Sequence, residues 1–208
     1  MKQKLPLFIF GILAFSFFVF FSYFVHKNIF LQFDFDTTVR LQDNISRRFD
    51  GAFSLLSLIG NFEIATLFLL IILILSRKLL SIFVLSFYGV FHLIELYGKS
   101  FVEQLPPPEF MLRVQKILEF PQFHVRQEFS YPSGHAGRAV FLSVLLGIIL
   151  LRTKRLSQTQ KVFIISALII YDTVMFTSRV YLGEHWASDV LGGALLGASL
   201  GLLASLVL

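Results

Sequence analysis

A histidine and an aspartate near the end of the chain have the spacing of a catalytic pair. His185 and Asp189 are four residues apart, so in a helix they share one face, where the carboxylate can orient the imidazole ring and stabilise its cation. Arg179, which follows Ser178, offers a rigid fork of N–H donors that suits phosphate oxygens. A lone histidine or arginine can equally extend its polar end towards lipid headgroups.

A second polar group immediately precedes another apolar segment. It consists of Ser133, Gly134 and His135. The unpaired N–H groups at a helix N-terminus, together with the helix dipole, favour an anion such as phosphate, and glycine lets the backbone approach that anion closely. The plainer interpretation is a serine N-cap followed by a helix.

Ionisable residues also occur inside the apolar segments, where they are functional by default. Glu95 is four residues before Lys99, the favourable order for an ion pair on one helix face, and we expect it to position Lys99. Asp172 is seven residues before Arg179 and is expected to support it in the same way. Glu184 is expected to be only a charge at headgroup level.

The composition indicates that lipid surrounds the elements carrying these residues. The 208-residue chain is 56% hydrophobic and 15% charged, whereas soluble domains are about 45–50% apolar and about 25% charged. Six apolar runs approach the ~20 residues that cross a bilayer: 5–25, 62–76, 79–98, 135–151, 162–178 and 186–208. Without repeats or linkers, residues 1–208 are predicted to form one all-α domain, a polytopic membrane protein with a bundle of six transmembrane helices.

Charge and cysteine content exclude several other classes. The net charge of +5 comes without a dense Lys/Arg run, so we expect no nucleic-acid partner, and the basic residues suit anionic headgroups instead. The absence of cysteine excludes a disulfide framework and any cysteine-ligated metal.

The loops predict which helix ends share a side of the membrane. Three basic segments contain no acid, namely Lys2 with Lys4, Arg77 with Lys78, and residues 152–161, whereas the alternate loops mix both signs. The positive-inside rule therefore places both termini in the cytoplasm of a multi-pass protein of the cell membrane. Lys99, the 133–135 group and the His185 pair then all face outward, in the periplasm or outside the cell, and this convergence favours a single phosphate site.

Two connecting segments are ambiguous. Residues 33–58 have apolar positions among charges, which suits either an amphipathic helix lying in the membrane interface or a plain connector. Residues 100–132 contain Pro106, Pro107 and Pro108, which break any helix begun at Lys99. The apolar residues of this loop suit either a lid or a segment lying in the headgroups.

These residues resemble the motifs of the type 2 phosphatidic acid phosphatase (PAP2) superfamily. Its second motif, Pro-Ser-Gly-His, stands at residues 132–135, and its third, Ser-Arg-x5-His-x3-Asp, runs from Ser178 to Asp189. The first motif, Lys-x6-Arg-Pro, begins at Lys99 but has Pro106 in the position of the arginine. The resemblance covers residues 99–189, and the helix count extends it over the chain.

The resemblance implies a role for each matching residue. His185 would attack phosphorus to give a phosphohistidine while Asp189 holds its other ring nitrogen, and His135 would protonate the leaving oxygen and then activate water. The phosphate oxygens would be bound, without a metal ion or other cofactor, by Lys99, Ser133, Gly134, Ser178 and Arg179.

The arginine missing from the first motif needs a substitute. We expect Arg138, three residues after His135 and near the same helix face, to bind phosphate in its place. Arg113 and Arg126 are alternatives in the loop. The other interpretation is that Arg138 extends outward and the loop arginines meet lipid phosphates.

The substrate class also follows from the resemblance. It implies hydrolysis of a lipid phosphomonoester or pyrophosphate, such as phosphatidic acid, phosphatidylglycerophosphate or undecaprenyl pyrophosphate, with the membrane as the other partner. The alternatives are a lipid-linked phosphotransferase that uses the same phosphohistidine, and a non-enzymatic phosphate-binding membrane protein weakened at Pro106. Six apolar spans argue against a soluble haloperoxidase with the same motifs.

Overall fold

The regular structure of this protein is helical throughout the part that can be described. The computed structural model describes residues 4–76, 79–113 and 129–208, and no strand occurs in these ranges, which confirms the all-α class. Eight α-helices are present in them: α1 (Lys4–His26), α2 (Leu31–Asn44), α3 (Asp50–Ile59), α4 (Phe62–Ser76), α5 (Val84–Phe101), α6 (Gly134–Arg152), α7 (Gln158–Tyr181) and α8 (Ala187–Ala204). Short 3₁₀ helices cover Arg47–Phe49, Leu79–Phe83 and Glu109–Met111.

Within the described part of the chain, five helical segments are long and apolar enough to cross a membrane: α1, Ser81–Phe101, α6, α7 and α8. The predicted span at residues 62–76 does not qualify alone, because a helix of 15 residues reaches only ~22 Å of a hydrocarbon core about 30 Å thick. It qualifies only as the pair Arg47–Ile59 and Phe62–Leu75, which is bent by 50°. The predicted count of six therefore holds if this bent pair is one span.

The segment at residues 33–58 is neither a plain connector nor one amphipathic helix. It contains α2, the 3₁₀ turn and α3, because Ile45 adopts an extended backbone that ends α2 and Ser46 accepts a hydrogen bond from Arg48 N to start the next turn. Asp34 and Thr38 on α2 are buried, so the polar positions of α2 face protein as well as solvent.

Helix α8 occupies the centre of the bundle and packs against α1 and α6. Small residues let α6 and α8 approach closely: a Cβ built on Gly197 would lie 2.1 Å from the Gly137 carbonyl oxygen. By contrast, α1 exposes Leu13, Phe17 and Phe20, as expected of a helix whose outer face meets lipid. Small residues at helix contacts are typical of membrane bundles.

The two ends of the bundle differ in chemistry. At one end, basic side chains bind carbonyl groups: Lys4 Nζ donates to Leu206 O at 2.6 Å, and Arg152 Nη1 donates to Ser205 O at 3.1 Å. At the other end α5 and α7 finish and α6 and α8 begin. We call this second end the site end, since the three helix ends that the sequence predicts to form the site lie there.

Candidate active site

The predicted His185–Asp189 pair is formed where α8 begins. His185 Nδ1 lies 3.3 Å from Asp189 Oδ2, and the same oxygen accepts a hydrogen bond of 2.9 Å from Trp186 N. Gly183, whose φ of 70° suits glycine, turns the chain between α7 and α8. Both members of the pair are buried. The hydrogen bond from Trp186 N holds the carboxylate in position to orient the imidazole ring.

Burial and the neighbouring charges both change the pKa of His185. Burial lowers the pKa of His185 below its usual 6.5, Asp189 opposes this shift, and Arg179 and Lys99 add to it. The lowered pKa favours the neutral ring, and a hydrogen bond donated by Nδ1 to Asp189 leaves the lone pair on Nε2. A neutral imidazole with one nitrogen held in this way is a nucleophile.

The start of α6 is joined directly to the start of α8. Ser133 N donates to Asp189 O at 2.9 Å, and the Ser133 hydroxyl accepts from Ala136 N at 3.5 Å as the cap of α6. Ser133 is therefore the N-cap of α6, and the same residue connects the two histidine motifs. His135 comes within electrostatic range of Arg179, Arg138, His185 and Lys99, so the structure brings the three predicted helix ends together.

Glu95 binds two cations of the site. Its Oε1 accepts from Lys99 Nζ at 2.9 Å, as the sequence predicts, and its Oε2 accepts from Arg138 Nη1 at 3.2 Å. Arg138 Nε also donates to Gly60 O at 2.9 Å. The suggestion that Arg138 extends outward is therefore wrong: the side chain is buried beside Gly134, where a Cβ would lie 2.0 Å from Glu95 Oε1.

Arg179 is buried at the end of α7, and two of its three nitrogens contact named side chains. Its Nη1 donates to Ser57 Oγ and its Nη2 pairs with Glu184, while Nε has no partner among the described residues. The expectation that Glu184 is only a headgroup-level charge is wrong, because Glu184 pairs with the buried Arg179. Glu184 lies in the turn after α7, so the helical repeat does not determine where its side chain points. The Ser178 hydroxyl donates to Met175 O at 2.7 Å, so its proton is directed into α7 and not towards the site.

Two other predicted groups, Asp172 and Arg113, have partners elsewhere. Asp172 accepts from Ser143 Oγ at 2.9 Å and not from Arg179, since seven helical residues separate the two Cα atoms by about 10 Å. Arg113 Nη1 donates to Gln42 O at 3.0 Å, and its guanidinium lies 5.1 Å from the centre of the Tyr181 ring. Arg126 lies outside the described residues, together with the rest of residues 114–128 of the predicted lid.

A buried carboxylate that the sequence did not single out holds the start of α8. Asp34 accepts from Ser188 N at 2.8 Å and from Ser188 Oγ at 2.6 Å, and Gln104 Nε2 donates to it at 3.2 Å. Burial raises the pKa of Asp34 to about 6, against the opposing effect of these hydrogen bonds. Asp34 thus ties α2 to the helix that carries Asp189.

Two further contacts also escaped the motifs. Asn61 Oδ1 lies 2.8 Å from His135 Nε2, and Ser57 contacts Arg179 as described above. The Gly60-Asn61 dipeptide, a turn signal between two helices, marks this place in the sequence without indicating its partners. Within residues 4–76, 79–113 and 129–208, no three His, Cys, Asp or Glu side chains are grouped to hold a metal ion.

Comparison with known proteins shows which family the chain matches. A sequence model of the PAP2 superfamily matches residues 67–208. The chain is 31% identical over 119 residues to phosphatidylglycerophosphatase B of Bacillus subtilis (strain 168), which covers 56% of this chain and 52% of the relative. The chain thus aligns with about half the length of this curated relative.

Two solved structures share the fold. The transmembrane PAP2-type phosphatidylglycerolphosphate phosphatase of Bacillus subtilis superposes with a TM-score of 0.75 and 21% identity, over 93% of each chain. LpxE of Aquifex aeolicus superposes with a TM-score of 0.62 and 20% identity, over 83% of this chain and 94% of its own. At these identities the superpositions show a common architecture.

Proposed function

Because this chain belongs to the PAP2 superfamily, we propose that it is an integral membrane phosphatase that hydrolyses a phosphomonoester or pyrophosphate of a lipid. The observation that carries the proposal is the His185–Asp189 pair at 3.3 Å, buried among the cations Arg179 and Lys99. A neutral imidazole beside fixed positive charges suits attack on a phosphate. The negative charge of the phosphate repels anionic nucleophiles but not a neutral ring.

The reaction has two steps, transfer of the phosphoryl group to His185 and hydrolysis of the phosphohistidine. His185 Nε2 forms a bond to phosphorus as the bond to the leaving oxygen breaks, and His135 gives that oxygen a proton. Water then attacks the phosphohistidine and passes a proton to His135, so that the N–P bond breaks, inorganic phosphate leaves and neutral His185 returns. Asp189 stabilises the Nδ1–H tautomer throughout.

The phosphate oxygens need fixed donors, because such transition states are stabilised by positioning and charge. Arg179 Nε is buried without a partner among the described residues, and it supports a direct contact to phosphate. Lys99, Ser133, Gly134 and the N-terminus of α6 complete the cradle. Arg138 lies beside the N-terminus of α6, since a Cβ built on Gly134 would be 2.7 Å from Arg138 Nη1. Its guanidinium supplies the positive charge that is missing at Pro106.

The substrate enters from the bilayer, with its headgroup at the site end and its tails in lipid. We propose that the site end faces outward and that the substrate is a glycerolipid phosphate or a polyprenyl pyrophosphate. Phosphatidylglycerophosphate is the first to test, because a relative that is 31% identical over 119 residues is a phosphatidylglycerophosphatase.

The test is phosphate release by the purified protein from phosphatidylglycerophosphate, phosphatidic acid and undecaprenyl pyrophosphate, in the presence of EDTA. The wild type should release phosphate from at least one lipid, and His185→Ala should lower kcat by more than about 10³-fold, as for loss of other nucleophiles. His26→Ala, at the end of α1, is the matched control and should keep full activity. Equal release by the wild type and His185→Ala would reject the proposal, and loss of activity in EDTA with recovery in Mg²⁺ would reject the metal-free cradle.

A further inference from the structure

Residues 57–61 comprise the end of α3 and the break before α4, and we call them together the α3–α4 break. This break contacts three residues of the candidate site. Ser57 Oγ accepts from Arg179 Nη1, Gly60 O accepts from Arg138 Nε at 2.9 Å, and Asn61 Oδ1 lies 2.8 Å from His135 Nε2. All three lie before residue 67, where the match to the family model begins. The break is therefore a wall of the site that the motifs do not describe.

The Asn61 contact determines which nitrogen of His135 carries a proton. A carboxamide oxygen only accepts hydrogen bonds, so His135 Nε2 must donate, and the neutral ring then has its lone pair on Nδ1. The protonated ring has its transferable proton on that same nitrogen. The second hydrogen bond of a histidine thus sets the atom at which it exchanges protons.

Asn61 is itself fixed by the chain around it. Its N–H donates to Leu58 O at 3.1 Å to finish α3, and its carbonyl accepts from Ala65 N at 2.9 Å to begin α4. Gly60 leaves space for the ring, since a Cβ there would lie 2.8 Å from His135 Cδ2. A side chain held on both sides in this way can hold the imidazole in one orientation.

We propose that Asn61 is a positioning residue that holds His135 as the Nε2–H tautomer, so that the proton passes to the leaving oxygen, and later from water, at Nδ1. This role rests on the proposed phosphatase function. The competing explanation is that Asn61 only caps α4, as asparagine often does at the start of a helix.

The two explanations differ in how a mutation affects different leaving groups. A lipid alkoxide needs a proton to leave, whereas the nitrophenolate of p-nitrophenyl phosphate leaves without one. Loss of a proton donor should therefore reduce kcat/KM for the lipid and spare the aryl ester. Since kcat/KM reports the first irreversible step, the later hydrolysis of phosphohistidine does not hide the effect.

We expect Asn61→Ala to lower kcat/KM for the lipid about 10- to 100-fold, part of the roughly 10²–10⁴-fold supplied by a positioned acid or base, and to lower it less than about threefold for the aryl phosphate. Asn61→Asp keeps an oxygen acceptor and should recover most of the lipid activity. In a His135→Ala background, Asn61→Ala should have no further effect. The matched control is Asn44→Ala, whose amide binds Arg40 O in its own helix at 2.8 Å.

Equal losses on both substrates, or a full loss from Asn61→Ala in the His135→Ala background, would overturn the positioning role. The tautomer itself is read from ¹⁵N histidine NMR of the wild type in detergent, with His135→Ala to assign the signal. At a pH where the ring is neutral, Nε2 should be protonated and Nδ1 unprotonated, and Asn61→Ala should mix the two tautomers. This readout needs no turnover: a wild type that hydrolyses nothing but shows the Asn61-dependent tautomer would reject the phosphatase and keep the contact, whereas an active wild type with an unaltered tautomer in Asn61→Ala would reject the positioning role alone.

Discussion

Among the site residues, Asp189 has the most demanding hydrogen-bond arrangement. One oxygen, Oδ2, faces both His185 Nδ1 and Trp186 N, while the other, Oδ1, is buried with no partner among the described residues. A buried carboxylate oxygen without a partner costs free energy. The arrangement fixes the carboxylate against the His185 ring, and this fixed position is what an orienting acid needs.

The lowered pKa of His185 predicts an acid limb in the pH profile. The nucleophile must be neutral, and the neutral fraction falls as pH drops through the pKa. Since burial places this pKa below 6.5, kcat/KM should be level at pH 7 and decline only below pH 6.5. Measurement with p-nitrophenyl phosphate between pH 4 and 8 tests this, and a limb centred above 6.5 would contradict it.

Asp189→Asn identifies the group responsible for that limb. The substitution removes the negative charge that raises the pKa of His185, so the limb should move to lower pH. The rate at pH 7 should fall about 10³–10⁴-fold, because an amide favours the wrong tautomer of the ring. A limb that stays in place while the rate falls would belong to the phosphate of the substrate.

Cation binding at the site depends on paired carboxylates. Lys99 and Arg138 share Glu95, and Arg179 pairs with Glu184, so each cation has an acidic partner before any phosphate arrives. Buried charges require such partners. This pairing also explains how Arg138 is kept inside the protein.

At the scale of elements, the contact between α6 and α8 places His135 beside His185. The helices approach so closely at Gly137 and Gly197 that a Cβ on Gly197 would lie 2.1 Å from a backbone oxygen. A backbone atom cannot move aside as a flexible side chain can. The two helices would have to separate, and their N-termini carry the two histidines.

Gly197→Ala should therefore lower both stability and activity. We expect a loss of about 1–3 kcal/mol, the range for overpacking, seen as a lower Tm in detergent, and a fall in kcat. Gly147→Ala on α6 is the matched control, because a Cβ there meets nothing within 4 Å, and alanine should instead raise stability by about 0.5–1 kcal/mol. An unchanged Tm in Gly197→Ala would show that the helices are not in close contact.

The break between α3 and α4 is a second element whose role exceeds that of a connector. It bends a pair of helices by 50° and presents Ser57, Gly60 O and Asn61 to three site residues. Asp34 on α2 acts similarly on the first turn of α8. The N-terminal third of the chain therefore supports the site from outside the motifs.

At the scale of the whole molecule, the orientation in the membrane is a direct prediction. The basic residues Lys4, Arg152 and Lys161 lie at the end opposite the site, and the positive-inside rule places that end in the cytoplasm. The natural chain contains no cysteine, so an introduced one reports its own location. Glu103 and Lys154 are both exposed and lie at opposite ends.

Glu103→Cys should react with a membrane-impermeant maleimide in intact cells, while Lys154→Cys should react only after permeabilisation. The unsubstituted protein is the control and should not be labelled. The reverse pattern would place the site end in the cytoplasm and overturn the outward orientation without affecting the chemistry.

Much of the site could be read from sequence because its signals are local. The spacing of His185 and Asp189, the pair Glu95–Lys99 and the start of α6 all follow from the helical repeat, and the spans follow from hydropathy. Predictions from the helical repeat were wrong at two residues. Glu184 lies in a turn and pairs with Arg179, and Asp172 is too far along α7 to reach Arg179.

The remaining contacts were decided only by tertiary structure. Asn61 and His135, Ser57 and Arg179, and Ser133 and Asp189 are each far apart in the chain, and their meeting depends on how closely and at what rotation the helices pack. No local pattern encodes that geometry. The sequence by itself therefore determined the family, most of the helical spans and the Glu95–Lys99 pair, whereas packing decided which acids meet Arg138 and Arg179 and placed Asn61 against His135.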